Sequence, residues 1–465
     1  MGKNETLETR DGFNSKLGFV LACIGSAVGM GNIWLFPYRM ATYGGSFLLV
    51  YLIFDILIGL SGVIGEMSFG RAARSGPIGA FGTAMASRGE TKRRAGEIIG
   101  AIPMLGALML AIGYSVVVGW IFKYTFGSFT GSVLAPVEPG EFGAAFGQMA
   151  SAFGNNLWLI IALAVNFAIM NLGIAAGIEK ANKVMIPLFY IMFIGLAIYV
   201  AFQPGAGAGY QWMFTIRPEA FKDPMMYVYA LGQSFFSLSL GVGTILTYSS
   251  FVKKDEDLLG SGLGTAFFDL MFAMLAGFAV MPAVFAAGIE PGAGPGLIFE
   301  TLPFIFAKMG TGAPLLSAIA AILFFVAVFV AALTSSISMV QVGVSYLMEQ
   351  KGLSKGKSVA VIFLGTWTLG VLCSLSFGRL GSFHILGCSI FDFCDKLVSN
   401  YLMAIGGLFF TLFVGWKMNP QTVREEFTGK GSRRLNSRIY PAVRFLIRWV
   451  APLGIIVIFL SNLFL

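Results

Sequence analysis

Gly25-Ser26-Ala27-Val28-Gly29-Met30-Gly31-Asn32 and Ser237-Leu238-Ser239-Leu240-Gly241-Val242-Gly243-Thr244 are the two stretches on which the reading of this chain turns. Each lies inside a long apolar run and sets a Gly-x-Gly among small hydroxyl or amide side chains. Glycine costs about 1 kcal/mol relative to alanine in a helix interior and leaves the backbone free to unwind. In lipid, unwound backbone survives only where it lines a cavity inside the protein. Either stretch alone is equally well explained by close helix packing through small residues. As a pair, opening the first and the second set of five apolar runs, they match the interrupted helices of a transporter with inverted repeats.

The chain around them has 465 residues, 57% of them hydrophobic and 12% charged. That is too little polar surface to clothe a soluble globule of this mass. A crossing needs about 20 mainly apolar residues, and about eleven such runs occur, at 17–42, 45–70, 97–125, 156–176, 184–203, 224–251, 260–288, 313–347, 357–377, 397–416 and 443–464. The expected fold is an all-α membrane protein forming one domain over 1–465. Its first repeat covers 17–203 (helices 1–5), its second covers 224–416 (helices 6–10), and 443–464 is an extra helix 11. Helices 1 and 6 are expected to be broken.

The segment Met1 to Lys16 is polar, with no short apolar core before a small-residue cleavage site, so no removable signal peptide is expected. With the N-terminus inside, 24 of the 31 Lys and Arg residues fall on the inner side, the bias that orients membrane proteins. The expectation is a multi-pass cytoplasmic-membrane protein with its N-terminus inside and its C-terminus outside. The net charge of +8 is spread over short loops and reads as topology rather than as a nucleic-acid footprint.

Several chemistries are missing. His384 is the sole histidine, and no HExxH, Walker lysine motif or G-x-S-x-G elbow occurs, which argues against an enzyme, an ATP-driven pump or an organic cofactor. Work must come from a gradient or a partner. Cys23, Cys373, Cys388 and Cys394 show no metal-ligand spacing. Free packed thiols are expected, with an outer Cys388–Cys394 disulfide as the alternative. A broken helix suits a zwitterion: one half-helix offers N–H groups and partial positive charge to a carboxylate, the other offers carbonyls to an ammonium or sodium ion.

From Lys16, Leu17, Gly18 and Phe19 through Gly29, Met30, Gly31, Asn32, Ile33, Trp34, Leu35, Phe36 and Pro37 the sequence resembles the first helix of the neurotransmitter:sodium symporter family, in particular its bacterial amino-acid transporters with the leucine-transporter fold. Further matches are Gly44-Gly45 with Tyr51, Gly65-Glu66 with Gly70-Arg71, the run Gly232 to Gly241, Tyr248, and Thr334-Ser335-Ser336. The likeness covers nearly the whole chain. Family members commonly have twelve spans; eleven are read here, as in some bacterial members.

Carried over by position, the resemblance implies two sodium sites. The first would use Ala27, Asn32, Ser237 and Asp269 with the substrate carboxylate. The second would use carbonyls of Gly25, Val28 and Ala331 and hydroxyls of Thr334 and Ser335. Ala331, Thr334 and Ser335 do share one helical face by spacing, although without the resemblance those hydroxyls read as helix-packing groups. The implied substrate site is Ala27, Gly29, Met30, Gly31, Tyr114, Phe236, Ser237, Ser239 and Ser335. Leu110, Val117, Phe236, Val242 and Met339 would form an apolar side-chain pocket. Amine transporters of the family carry Asp at the position of Gly29, so glycine there implies a substrate with its own carboxylate.

The chain also departs from the family pattern. Asp269 stands where Asn is expected, and Ala273, one turn later, stands where bacterial members often have an acid. An ionised group in the bilayer interior is a functional hypothesis by default. The expectation is that Asp269, near Tyr51 and Gln233, replaces chloride; a titrating Asp269 coupled to protons is the alternative. Leu35 stands where an outer-gate Arg is usual, with Asp395 as the acid partner; Arg39 one turn on either substitutes or anchors at the interface. Arg10 and Glu349 match an inner gate, with Gln341 nearby. Gly177 to Pro187 resembles the family's glycine-x9-proline element of the fifth helix, which unwinds to hydrate the second sodium site, and also reads as an ordinary loop and helix start.

The expected function is sodium-coupled import, with two Na+ ions, of a neutral hydrophobic amino acid by alternating access, independent of chloride. The partners are the small-molecule amino acid and the lipid bilayer, without nucleic acid. Transport of another small solute, an amine or osmolyte, and a transporter-like sensor without flux are the competing readings.

Overall fold

The computed structural model describes residues 12–288 and 296–464. Among them the chain is helical apart from turns, loops and one isolated bridge between Ile385 and Cys388. Eight helices are long and apolar enough to cross a bilayer: Gly45–Ala73, Glu90–Thr130, Ile174–Ala201, Leu258–Ala287, Pro314–Lys351, Lys355–Leu375, Ile390–Lys417 and Arg434–Leu463. Three interrupted crossings complete the expected eleven. The first is Lys16–Ala27 followed by Gly31–Tyr43, bent by 54°. In the fourth, Asn155–Asn171 is preceded at 74° by Pro139–Ser151. The sixth consists of Pro224–Ser237 and Thr244–Ser249, separated by the turn at 238–243.

Both expected breaks have a backbone cause. In the first span Val28 leaves the helix at ψ 114°, and the chain resumes from Gly29 into Gly31–Leu35. In the sixth span Ser239, Gly241 and Gly243 all have positive φ, at 52°, 88° and 74°. For a non-glycine residue this conformation costs about 1–2 kcal/mol, so Ser239 is held there by its surroundings. The Ser239 hydroxyl donates to the Ser26 carbonyl at 2.8 Å, and the Gly241 N–H donates to Glu66 Oε1 at 2.8 Å. The two breaks thereby bond to each other and to the second span. Gly241 also meets the tenth span backbone to backbone: a Cβ on it would strike the Met403 carbonyl and lie 2.9 Å from the Gly407 nitrogen.

The fifth span differs from the expectation. It begins at Ile174, ten residues before the expected 184, and Gly177 to Pro187 is helical rather than loop or unwound. The charges that made this stretch read as an interface are internally used. Glu179 is buried and accepts from Lys183 at 2.6 Å, from the Asn14 N–H at 2.7 Å and from the Ser15 hydroxyl at 2.8 Å. The fourth span correspondingly ends at Asn171 rather than 176, because Gly173 at φ 96° turns the chain into the fifth span, where Gly177 packs against the Ile169 carbonyl with no room for a Cβ. All four cysteines are free. The nearest pair is Cys373 and Cys394 at 4.0 Å, not Cys388 and Cys394.

The close approach at Gly241 gives a test. Gly241→Ala and Gly431→Ala both force alanine into positive φ, but nothing lies within 4 Å of a Cβ at Gly431. Gly241→Ala is expected to lower the thermal midpoint of the purified protein far more than Gly431→Ala. Equal shifts would show that the backbone contact is not a constraint.

Candidate substrate and ion site at the two helix breaks

A small cavity of about 30 Å³ lies between the two breaks. The first break lines it with Ala27, Gly29, Met30 and Gly31. Phe236, Ser239 and Val242 come from the sixth span, Leu110 and Tyr114 from the third, and Ser335 and Met339 from the eighth. Two expected members stand elsewhere. Val117 lines the larger cavity above, and Ser237 is turned into a buried polar cluster. Ser26 and Met403, which sequence reasoning missed, also line the site.

One end of the cavity is polar and the other apolar. The Tyr114 hydroxyl is buried without a hydrogen-bond partner, beside the Met30 backbone and the Ser335 hydroxyl. The second half of the first span starts here, where the Gly29 N–H donates to Asn32 Oδ1 and the Asn32 N–H to the Gly29 carbonyl; the remaining leading N–H groups, which lack intrahelical acceptors, border the same end. Gly29 is sterically enforced: a Cβ there would stand 2.8 Å from Ser335 Oγ and 3.3 Å from Tyr114 Oη. Leu110, Phe236, Val242 and Met339 supply the apolar end.

The first expected ion group converges. Asn32 Nδ2 donates to Ser237 Oγ at 2.9 Å and to Asp269 Oδ1 at 2.9 Å, and Ser237 Oγ donates to Asp269 Oδ2 at 2.5 Å. Ala27 lies in the adjoining cavity wall. Asp269 is fully buried, and its hydrogen-bond partners here are neutral. A buried carboxylate without a countercharge is costly, so this group fits a cation. Tyr51 is within electrostatic reach of Asp269, and its hydroxyl is a buried atom without a partner. Gln233 Nε2 donates to the Gly31 carbonyl at 3.0 Å. Asp55 is a second buried acid in this region, absent from the sequence reading, with Ser234 Oγ at 3.4 Å.

The second expected group also converges. Ser335 Oγ donates to the Gly25 carbonyl at 3.1 Å and the Val28 carbonyl at 2.7 Å, and Thr334 Oγ1 donates to the Ala331 carbonyl at 2.9 Å. Carbonyl and hydroxyl oxygens, all uncharged, are the donor type a hard cation takes. These residues fit sodium.

Above the site a cavity of about 390 Å³ shares Met30, Leu110, Tyr114 and Phe236 with it and contains both Arg39 and Asp395. Arg39 bonds Gln233 Oε1 at 2.8 Å and the Tyr229 carbonyl at 3.1 Å, and Asp395 accepts from Ser399 at 3.3 Å. Arg39 and Asp395 therefore face one space without pairing to each other. On the opposite face Glu349 accepts from Ser75 Oγ at 2.6 Å and the Gly76 N–H at 2.8 Å. Arg10 lies outside the described residues. Gln341 bonds Ser345 at 3.1 Å.

Comparison with known proteins agrees with this geometry. The sequence profile of the sodium:neurotransmitter symporter family matches residues 10–135 and 145–465. An uncharacterized sodium-dependent transporter of Haemophilus influenzae is 32% identical over 465 residues, covering 98% of each chain. The sodium-dependent transporter YhdH of Bacillus subtilis, also uncharacterized, is 34% identical over 454 residues, covering 96% of each. Among solved structures, MhsT in complex with L-phenylalanine superposes with a TM-score of 0.85 at 35% identity, over 97% of this chain and 100% of that one. Interrupted first and sixth spans enclosing an unpaired tyrosine hydroxyl and two oxygen clusters, on a leucine-transporter fold, thus belong to a chain that is a member of the sodium:neurotransmitter symporter family.

Proposed function

We propose that this chain imports a neutral, hydrophobic amino acid together with two sodium ions by alternating access. The observation that carries the reading is the two-ended cavity, polar at the break of the first span and apolar at Leu110, Phe236, Val242 and Met339. The substrate carboxylate accepts from the first-span N–H groups and from Tyr114 Oη, and completes the group of Ala27, Asn32, Ser237 and Asp269. Its side chain lies against the apolar end. That MhsT was solved with L-phenylalanine supports a substrate of this kind.

Gly25, Val28, Ala331, Thr334 and Ser335 hold the second ion. Asp269 supplies the negative charge that lets transport proceed without chloride. Asn32 must turn its amide so that Oδ1 faces the first ion, a rotation about one side-chain bond. Residues 17–203 and 224–416 form the two inverted repeats, with 443–464 outside them. The chain sits in the cytoplasmic membrane with its N-terminus inside, so the cavity of Arg39 and Asp395 faces outward. Closure brings Arg39 onto Asp395, and Arg10 with Glu349 latches the inner face. Such latches need only a small bias between two states.

Equilibrium binding of leucine and phenylalanine to purified protein, in sodium and in potassium, tests the reading. Saturable binding is expected in sodium alone, and a sodium gradient is expected to drive uptake into proteoliposomes. Binding without flux would make the chain a sensor, and preference for an amine would reject the carboxylate site.

Two further outcomes follow from particular atoms. Tyr114→Phe removes one hydrogen bond to a charged group, worth about 1.5–3 kcal/mol, and should weaken amino-acid binding at least tenfold. Replacing chloride with gluconate should leave wild-type uptake unchanged, whereas Asp269→Asn should lose uptake in gluconate and regain part of it in chloride. Collapse of wild-type uptake in gluconate would remove Asp269 from the charge-balancing role.

A further inference from the structure

The fifth span contributes no residue to either expected ion group, yet it places a buried, unpaired oxygen beside one of them. Asn182 is 1% exposed. Its Nδ2 donates to the Ile178 carbonyl at 2.8 Å, which fixes the amide, and its Oδ1 has no hydrogen-bond partner. Buried amide oxygens are almost always satisfied, so one that is not calls for a physical explanation.

The direction of this oxygen supplies one. Of all atoms around Gly25, Asn182 Oδ1 is the nearest to the position a Cβ would occupy, followed by Thr334 Cβ at 2.9 Å and Ile186 Cδ1 at 3.3 Å. Gly25 and Thr334 both belong to the second ion group. The oxygen therefore abuts that group on the side facing the fifth span, and Gly25 is the residue whose missing side chain lets it approach. An amide oxygen is also the right donor for a hard cation, as the carbonyls of Gly25, Val28 and Ala331 are.

We propose that Asn182 Oδ1 is an additional ligand of the second sodium ion, contributed by the fifth span. This rests on the sodium reading above and extends it by one residue. The other five oxygens come from the first and eighth spans alone, so Asn182 makes the ion a three-way tie. Glu179, one turn earlier, already grips the Asn14 N–H and the Ser15 hydroxyl at the inner end of the first span. With the ion bound, two points hold the first half of the first span to the fifth. When the ion leaves, only the Glu179 contact of these two polar ties remains.

Binding of radioactive sodium to the purified protein, and its stabilisation against heat by sodium, both without amino acid, test the assignment. Asn182→Ala is expected to raise the half-saturating sodium concentration about tenfold. Asn182→Asp keeps an oxygen in place, adds a negative charge beside the ion, and is expected to lower it below the wild-type value. Amino-acid affinity at saturating sodium should be unchanged in both variants. A purely structural role would lower the thermal midpoint equally with and without sodium and leave the half-saturating concentration unmoved, and that result would overturn the proposal. If Asn182→Ala does not fold, an Asn182→Asp protein with wild-type sodium dependence overturns it as well. Wild-type protein that ignores sodium would instead reject the sodium reading itself.

Discussion

Backbone polar groups inside a bilayer must find partners within the protein, and the architecture of this chain follows from how two exposed stretches of backbone meet that demand. At the first break, Ser335 donates to the Gly25 and Val28 carbonyls, Gln233 donates to the Gly31 carbonyl, and Ser239 donates to the Ser26 carbonyl. At the sixth-span break, Glu66 accepts from the Gly241 N–H. These five bonds come from three spans, so the breaks are stable only when the second, sixth and eighth spans are assembled around them. The site is a product of the whole bundle, which explains why so many crossings serve so small a cavity.

The same demand governs charge. Glu66, Asp269 and Asp55 are buried acids, and each is solved differently. Glu66 accepts from the Gly241 N–H through Oε1 while its Oε2 has no hydrogen-bond partner, Asp269 accepts from two neutral side chains, and Asp55 has a long contact to Ser234. At the face of Glu349, Arg71 is nearly fully buried and ties Glu426 at 2.6 Å to the Glu256 carbonyl, also at 2.6 Å. The more exposed Lys16–Glu256 pair at 3.8 Å contributes little to stability.

Much of this was legible in sequence because the signals are local. Glycine pairs among hydroxyls mark both breaks, and Ala331, Thr334 and Ser335 share a face by spacing alone. Val117 lies on the stripe of Leu110 and Tyr114 but about 10 Å farther along the helix than Leu110, and so lines the adjoining larger cavity rather than the small one between the breaks. The early start of the fifth span was hidden because Glu179 and its lysines look like an interfacial loop until Asn14 and Ser15 are seen to meet them. Asp55 and Asn182 are single polar residues in apolar runs. Nothing along the chain says which helix they face, so only three-dimensional structure reveals them.

Position 29 carries a consequence for how such a protein can diversify. The space a side chain would need there is already taken by Ser335 Oγ, which belongs to the proposed second ion group, and by Tyr114 Oη, which borders the candidate substrate cavity. Under the proposed function, any enlargement at this point disturbs cargo and fuel together. Selectivity can drift through Val242 or Met339 while the energy coupling is preserved, but a change of substrate class at residue 29 requires the opposing helix to be rebuilt at the same time.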